Sequence, residues 1–177
     1  FTVAIDPQTN TNLYVGGSTG LLRSTNNGES WTAATTINRN VTEIAINPEN
    51  PQTVYAAANN QLYRSQDGGE SCTILSHPGQ QIYSVALKPN DPNTIYTASW
   101  DGLFISRDGG AGWSKAQIQA TSGNNSPSFL RTDPRRPEAL YMGWGLELFI
   151  SPDAGNSWFA LTIGTPGLTI NDLAVDA

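Results

Sequence analysis

The sequence predicts an all-β fold built from four similar four-stranded units. An eight-residue pattern with the consensus S-x-D-x-G-x-S-W occurs four times, with successive copies 41, 41 and 45 residues apart. A proline lies 17 residues before each copy, and a tyrosine follows each of these prolines by seven residues. No segment combines a helical apolar period with a cap. A period of this length, with about four short strands and no helix per unit, is typical of β-propeller blades.

The eight-residue pattern, called the box below, is predicted to be a structural turn. Its Ser and Asp side chains can hydrogen-bond to the backbone of their own turn, and its Gly tolerates a positive φ. Its Trp should be well buried, so we expect burial of Trp31, Trp113 and Trp158. Cys72 replaces one Trp and is expected to be a small buried residue in a more lightly packed blade. The consensus positions are Ser24, Asn26, Gly28 and Trp31; Ser65, Asp67, Gly69 and Cys72; Ser106, Asp108, Gly110 and Trp113; and Ser151, Asp153, Gly155 and Trp158.

Each repeat is interpreted as four strands separated by turns, as the second repeat illustrates. The sequence predicts strands at 41–46, 53–57, 61–65 and 71–75. The first is apolar toward its end, which is typical of an innermost strand, and the following Asn-Pro turn ends it because proline lacks the N–H that a ladder needs. The Gly-rich box forms a hairpin into the fourth strand. The blades are placed at about 1–36, 41–77, 82–118 and 127–163.

The last residues resemble the first strand of a blade. Asp172-Leu-Ala-Val-Asp176 matches Val3-Ala-Ile-Asp6, which predicts an additional strand at about 170–176, the first of a fifth blade. We therefore expect residues 1–177 to form a single array that is an arc of a larger propeller, or one whose ring is completed elsewhere.

Composition narrows the functional classes. The 177 residues carry a net charge of -6 with a pI near 4.5, which disfavours nucleic acid as a partner. No apolar stretch is long enough to span a bilayer, so direct membrane insertion is not expected. One cysteine and one histidine exclude a Cys/His metal site. The box aspartates lack the alternating carboxylates of a calcium loop, so we predict neither a metal nor a cofactor.

The box and its surroundings resemble a known family. The S-x-D-x-G-x-S-W element looks like the Asp-box, or bacterial neuraminidase (BNR) repeat, on the hairpin between the third and fourth strands of propeller blades. The frame A-I-D-P-x-x-P-x-T-x-Y around it is similar to sortilin/Vps10-type propellers and to photosystem II assembly/stability-factor propellers. The resemblance covers essentially the whole chain. It implies the fold strongly and the activity weakly, because the family includes sialidases, xyloglucanases, receptors and assembly factors.

The candidate binding residues are Trp100, Asp101, Trp144 and Glu147. They depart from the repeat consensus in the loops 99–102 and 143–147, which join the second strand to the third on the face around the propeller axis. Aromatic rings beside carboxylates suit a protein-binding hot spot or sugar stacking. The alternative is that the two Trp fill space between blades.

A catalytic interpretation has weaker support. The sialidase resemblance implies three central arginines and an opening Phe/Tyr-Arg-Ile-Pro motif, and that motif is absent. Arg23 and Arg64 share one repeat column and are interpreted as structural, whereas Arg131, Arg135 and Arg136 crowd one strand and turn. An inverting xyloglucanase needs two carboxylates about 6.5–9.5 Å apart, and only an arbitrary choice assigns Asp101 and Glu147 to those roles.

The sequence therefore favours a non-enzymatic, extracytoplasmic (periplasmic, lumenal or secreted) propeller. Its expected role is a protein-interaction scaffold or an accessory subunit of a larger assembly, such as one on the extracytoplasmic side of a membrane complex. The alternative is a glycan-active propeller, either a fragment of a sialidase- or xyloglucanase-like hydrolase or a sugar-binding lectin, so carbohydrate stays open as a ligand.

Overall fold

The computed structural model describes residues 1–34, 36–118, 127–162 and 170–175, and in this part of the chain all regular structure is β. The strands form four antiparallel four-stranded sheets. The predicted fold class is confirmed. The chain divides into two compact units, Phe1–His77 and Pro78–Ala177.

Each unit contains two sheets, and each sheet is a meander of four consecutive strands. In the first unit, sheet 1 has β1 (Thr2–Ile5), β2 (Leu13–Gly17), β3 (Gly20–Ser24) and β4 (Thr32–Ala33), and sheet 2 has β5 (Val41–Ile46), β6 (Val54–Ala58), β7 (Gln61–Ser65) and β8 (Thr73–Leu75). In the second unit, sheet 3 has β9 (Ile82–Lys88), β10 (Asp91–Ser99), β11 (Gly102–Ser106) and β12 (Ser114–Lys115), and sheet 4 has β13 (Pro127–Thr132), β14 (Leu140–Trp144), β15 (Glu147–Ser151) and β16 (Phe159–Thr162). The four strands of the second repeat agree with their predicted bounds to within two residues.

The repeated tyrosine defines one face of each sheet. Tyr14 pairs with Ala4 and Arg23 across sheet 1, so these three side chains share one face, called the Tyr face below. Tyr96 is equivalent in sheet 3, where it pairs with Ala86 and Ile105. Successive side chains of a strand point to opposite faces, so the apolar residues on either side of the tyrosine lie on the opposite face.

In both units the Tyr face of one sheet packs on the opposite face of the next. In the first unit, Tyr14 lies in one apolar cluster with residues of sheet 2 that include Val54, Ala56 and Tyr63. In the second unit, Tyr96 and Ile105 share a cluster with residues of sheet 4 that include Leu140 and Phe149. Each blade thus covers an apolar face that its neighbour cannot bury alone.

The segment predicted as an additional strand is not a strand where it is described. Residues 170–175 lie beside β13, where Ser128 Oγ donates to the Ile170 carbonyl (2.7 Å) and Arg131 pairs with Asp172 (2.7 Å). Residue 176 lies outside the described residues, as do residues 119–126, between the predicted third and fourth blades, and residue 163 of the predicted fourth blade. A first strand is held by its ladder with the second strand of its own blade, as β1 is by β2, and the described residues 170–175 belong to no such ladder.

Candidate functional site

The four boxes adopt the same hydrogen-bonded turn. In every copy the Ser Oγ accepts the backbone N–H of the box Gly and donates to the side chain two residues later, and that side chain accepts the N–H of the seventh box residue. The Ser-to-Gly contacts are Ser24 to Gly28 (2.9 Å), Ser65 to Gly69 (2.7 Å), Ser106 to Gly110 (2.8 Å) and Ser151 to Gly155 (2.8 Å). The predicted local bonding of the box serines is therefore present in all four turns.

The same bonds lower the pKa values of the box carboxylates. The Ser71 hydroxyl, the Ser71 N–H and the Ser65 hydroxyl lower the pKa of Asp67 to about 2. The pKa of Asp108 is lowered chiefly by the N–H of Gly112. Burial alone would raise the pKa of Asp153, but hydrogen bonds from Ser157 outweigh it and the pKa is lowered. The carboxylates serve their own turns, and among the described residues no three His, Cys, Asp or Glu side chains form a group that could hold a metal.

The predicted deep burial of the box Trp residues is wrong. Trp31 is 40% exposed, and Trp113 and Trp158 are only half-buried. The eighth box residue directly precedes the outermost strand, and in two copies its indole bonds back to its own turn. The indole N–H of Trp31 donates to the Gly28 carbonyl, and that of Trp158 donates to Gly155, both at 3.1 Å.

Cys72, at the same box position, is also half-buried. It packs against the apolar cluster of the first unit, and its N–H donates to Thr36 Oγ1 (2.9 Å). Burial raises the pKa of its thiol, which makes the thiolate less accessible at neutral pH.

Trp100 is an exposed aromatic residue on a firmly held loop. It lies between β10 and β11 and is 53% exposed. Its N–H donates to the carbonyls of Gln80 (2.9 Å) and Gln81 (3.1 Å), while the N–H of Gln80 donates to Asp101 Oδ1 (2.9 Å). Hydrogen bonds to residues 80 and 81 thus hold the loop backbone. Little backbone conformational entropy would therefore be lost when a partner binds the exposed indole.

Two residues that the sequence did not single out belong to this surface. Gln81 adopts a positive φ of 48°, which is uncommon for a residue with a side chain, and its Oε1 accepts the hydroxyl of Tyr83 (2.9 Å). Gln81 directly precedes β9, and Tyr83 is the second residue of that strand. They adjoin the Gln80 and Gln81 carbonyls, which accept the Trp100 N–H. No sequence pattern comparable to the box identifies these residues, because the segment before β9 differs from repeat to repeat.

Trp144 and Glu147 are less open than Trp100. Trp144 packs against the apolar cluster of the second unit, with its ring edge-on to Phe149 (centroids 6.3 Å apart, planes at 61°). Glu147 is 6% exposed. They pair across the β14–β15 hairpin and correspond to Ser99 and Gly102, the residues that flank Trp100 and Asp101 in sheet 3. The two hairpins belong to one unit, but only Trp100 presents a largely open ring.

The arginines that a sialidase-like centre would need are engaged elsewhere. Arg131 pairs with Asp172, and its guanidinium lies 5.9 Å from the centroid of the Phe129 ring. Arg136 pairs with buried Asp133 and contacts the Tyr141 hydroxyl. Arg23 pairs with Glu70 between sheets 1 and 2. Among the described residues, these three arginines stabilise strands and turns.

No family model and no curated protein matches the chain. Solved structures do match. The GH74 xyloglucanase of Xanthomonas campestris gives a TM-score of 0.74 at 21% identity, covering 93% of this chain and 30% of that one. YCF48 from Cyanidioschyzon merolae gives 0.71 at 14% identity, covering 94% and 56%. The extracellular domain of the one-component system BT4673 of B. thetaiotaomicron gives 0.69 at 23% identity, covering 86% and 21%.

The chain thus spans less than two thirds of each of these proteins. They include an enzyme and an extracellular domain, so they do not single out one activity. In the described residues there is no helix with the length and apolar character needed to cross a membrane. At these identities the likeness establishes the fold alone, which is that of part of a β-propeller.

Proposed function

We propose that the chain is a non-catalytic, extracytoplasmic propeller that acts as a protein-interaction scaffold or accessory subunit. The observation that carries this proposal is Trp100, an open indole on a loop fixed by three hydrogen bonds. Large aromatic residues with few rotatable bonds dominate binding energy where a partner covers them. The acidic, lysine-poor composition and the family resemblance favour an extracytoplasmic location.

The assignment of a non-catalytic role depends on the surroundings of the two candidate carboxylates, Asp101 and Glu147. Asp101 uses one oxygen to hold the Gln80 N–H, and Glu147 is buried beside Trp144. A glycosidase needs one carboxyl group as acid and a second as base or nucleophile, both open to the sugar. Asp101 is therefore assigned to loop positioning, and no hydrolytic role is assigned to Glu147.

Site-specific photo-cross-linking in the native cells tests the interaction. A photoreactive phenylalanine analogue replaces Trp100, and the control carries it in place of Ile74, which is similarly exposed on an edge strand of the other unit. We expect one defined adduct from position 100 and none from position 74. Equal labelling at both positions, or no adduct at position 100, would contradict a docking role for this loop.

A glycan ligand is the second candidate, favoured by the open indole beside a carboxylate and by the fold shared with a GH74 xyloglucanase. Titration calorimetry and product analysis with xyloglucan oligosaccharides and sialyllactose separate the two candidates. Saturable binding lost in Trp100→Ala would support a lectin. Turnover lost in Asp101→Asn would support a hydrolase and reject the non-catalytic assignment.

A further inference from the structure

The face of sheet 1 opposite to its Tyr face is apolar and open. Val3 is 66% exposed and Ile5 is 54% exposed, and Leu22 is exposed beside them. Val3, Val15 and Leu22 pair in one row across β1, β2 and β3. The equivalent row of sheet 2 is Ile44, Ala56 and Tyr63, which is buried because sheet 1 covers it. Sheet 1 thus exposes the surface that sheet 2 uses to bind a neighbouring sheet.

The observed contact between sheets 1 and 2 has three polar and steric components. The Tyr14 hydroxyl donates to the Gly68 carbonyl (3.0 Å), and the Arg23 guanidinium pairs with Glu70 (3.2 Å). Between them, a Cβ added at Gly69 would lie only 3.0 Å from the edge of the Tyr14 ring. The box of sheet 2 therefore receives a Tyr and an Arg from the sheet packed on it.

The box of sheet 1 has equivalents of the accepting carbonyl, the glycine and the glutamate. No Tyr or Arg of another sheet contacts them among the described residues. Asn27 has a φ of 57°, close to the 65° of Gly68, and Glu29 stands where Glu70 does. A Cβ added at Gly28 would meet only Leu13 and Trp31 of its own sheet, at 3.5 Å or more. The Glu29 carboxylate makes no hydrogen bond or ion pair within the part of the chain that is described.

We propose that the open face of sheet 1 docks another four-stranded sheet whose Tyr face carries a Tyr on the second strand and an Arg on the third. The incoming Tyr would donate to the Asn27 carbonyl and lie against Gly28, and the incoming Arg would pair with Glu29. The Val3–Val15–Leu22 row would lie against the remaining apolar part of that face. This assigns a partner surface separate from the Trp100 loop.

A second copy of this chain is a poorer match than such a sheet. Its sheet 4 has a partly open Tyr face, but the Tyr141 hydroxyl contacts Asp133 and Arg136 of its own turn. The third-strand residue that pairs with the sheet tyrosine is Arg23 in sheet 1 but Ile150 in sheet 4. Sheet 4 therefore offers no cation at this position for Glu29. The occupant is therefore a sheet that carries the Tyr and Arg pair on one face.

The test supplies such a sheet by duplication. A copy of residues 1–41, which carries Tyr14 and Arg23, is fused before Phe1 of the full chain in the natural 41-residue register. Glu29→Gln is then made in the original sheet 1 of the fused and unfused chains, and Glu70→Gln is the positive control. We expect Glu29→Gln to lower the urea midpoint of the fused chain only, and Glu70→Gln to lower both.

Two further measurements test the proposal: the energetic coupling between Glu29 and the added copy's arginine, and the self-association of the unfused chain. Replacing the added copy's arginine by Gln should remove the effect of Glu29→Gln in the fused chain. Hydrogen exchange provides a readout independent of global stability, since docking should protect the amides of residues 2–5. Absence of both coupling and protection would overturn the proposal. A concentration-dependent dimer of the unfused chain that Val3→Asp abolishes would also overturn it, by making a second copy the occupant.

Discussion

At the residue scale, hydrogen bonding inside the box turn controls the acid–base behaviour of its carboxylate. The pKa of Asp67 is about 2 in the folded chain, below its ordinary value of 3.8. A depressed pKa means that the folded state binds the carboxylate's proton more weakly than the unfolded state does. The resulting stabilisation is therefore present above about pH 4 and is lost as the pH falls toward 2.

Two measurements check this prediction. Carboxyl-carbon NMR should place the Asp67 titration near pH 2, and Asp67→Asn should reduce the dependence of stability on pH between 4 and 2, to which the other box carboxylates still contribute. A titration midpoint at the ordinary value would show that Ser65 and Ser71 do not hold this carboxylate in solution. The first box carries Asn26 in place of Asp and offers no corresponding titration.

The two loop tryptophans should differ in their contribution to stability. Trp144 packs on Phe149 and the apolar cluster, whereas Trp100 is largely open. Trp144→Ala should lower the free energy of unfolding by about 2–3 kcal/mol, since it removes a half-buried ring, and Trp100→Ala should change it by less than about 0.5 kcal/mol. Urea denaturation measures both. Equal losses would show that Trp100 is a packing residue after all.

At the scale of elements, the contact between neighbouring sheets depends on the box glycine. Gly69 and Gly28 have nearly the same φ, 90° and 88°, but only Gly69 lies against a tyrosine of another sheet. Ala at either position should cost about 1–2 kcal/mol in backbone strain. Gly69→Ala should cost a further 1–3 kcal/mol, roughly, because the methyl group displaces Tyr14. Equal costs in chemical denaturation would place Tyr14 outside the energetics of this contact.

Strands and turns were the parts of the fold that the sequence predicted well. The constant spacing between proline, tyrosine and box leaves room for only one strand register, and the 41–46 and 61–65 strands have their predicted bounds. The burial of the box Trp was predicted wrongly because the repeat gives only the position of the residue in the chain. The side-chain direction is set locally, as the indole N–H bonds of Trp31 to Gly28 and of Trp158 to Gly155 show.

At the scale of the whole molecule, repeat deviations predicted the loops of the candidate site but not its internal geometry. Trp100 and Asp101 stand out because the first two repeats carry small residues there. Gln80 and Gln81 did not stand out, since the hydrogen bonds that join them to Trp100 and Asp101 link segments about 20 residues apart. Tyr83 is connected to this loop through its hydrogen bond to Gln81. The binding roles of Trp100, Asp101, Trp144 and Glu147 stay predictions, with Trp100 the residue best exposed for one.

The central claim is that the Trp100 loop is the docking surface for a protein partner. The most direct test is the affinity of the cross-linked partner for Trp100→Ala, with Ile74→Ala as the control of similar exposure. We predict that Trp100→Ala weakens binding by about 2–4 kcal/mol, or roughly 30- to 700-fold, while Ile74→Ala changes it less than about twofold. Unchanged affinity of a folded Trp100→Ala variant would contradict the claim.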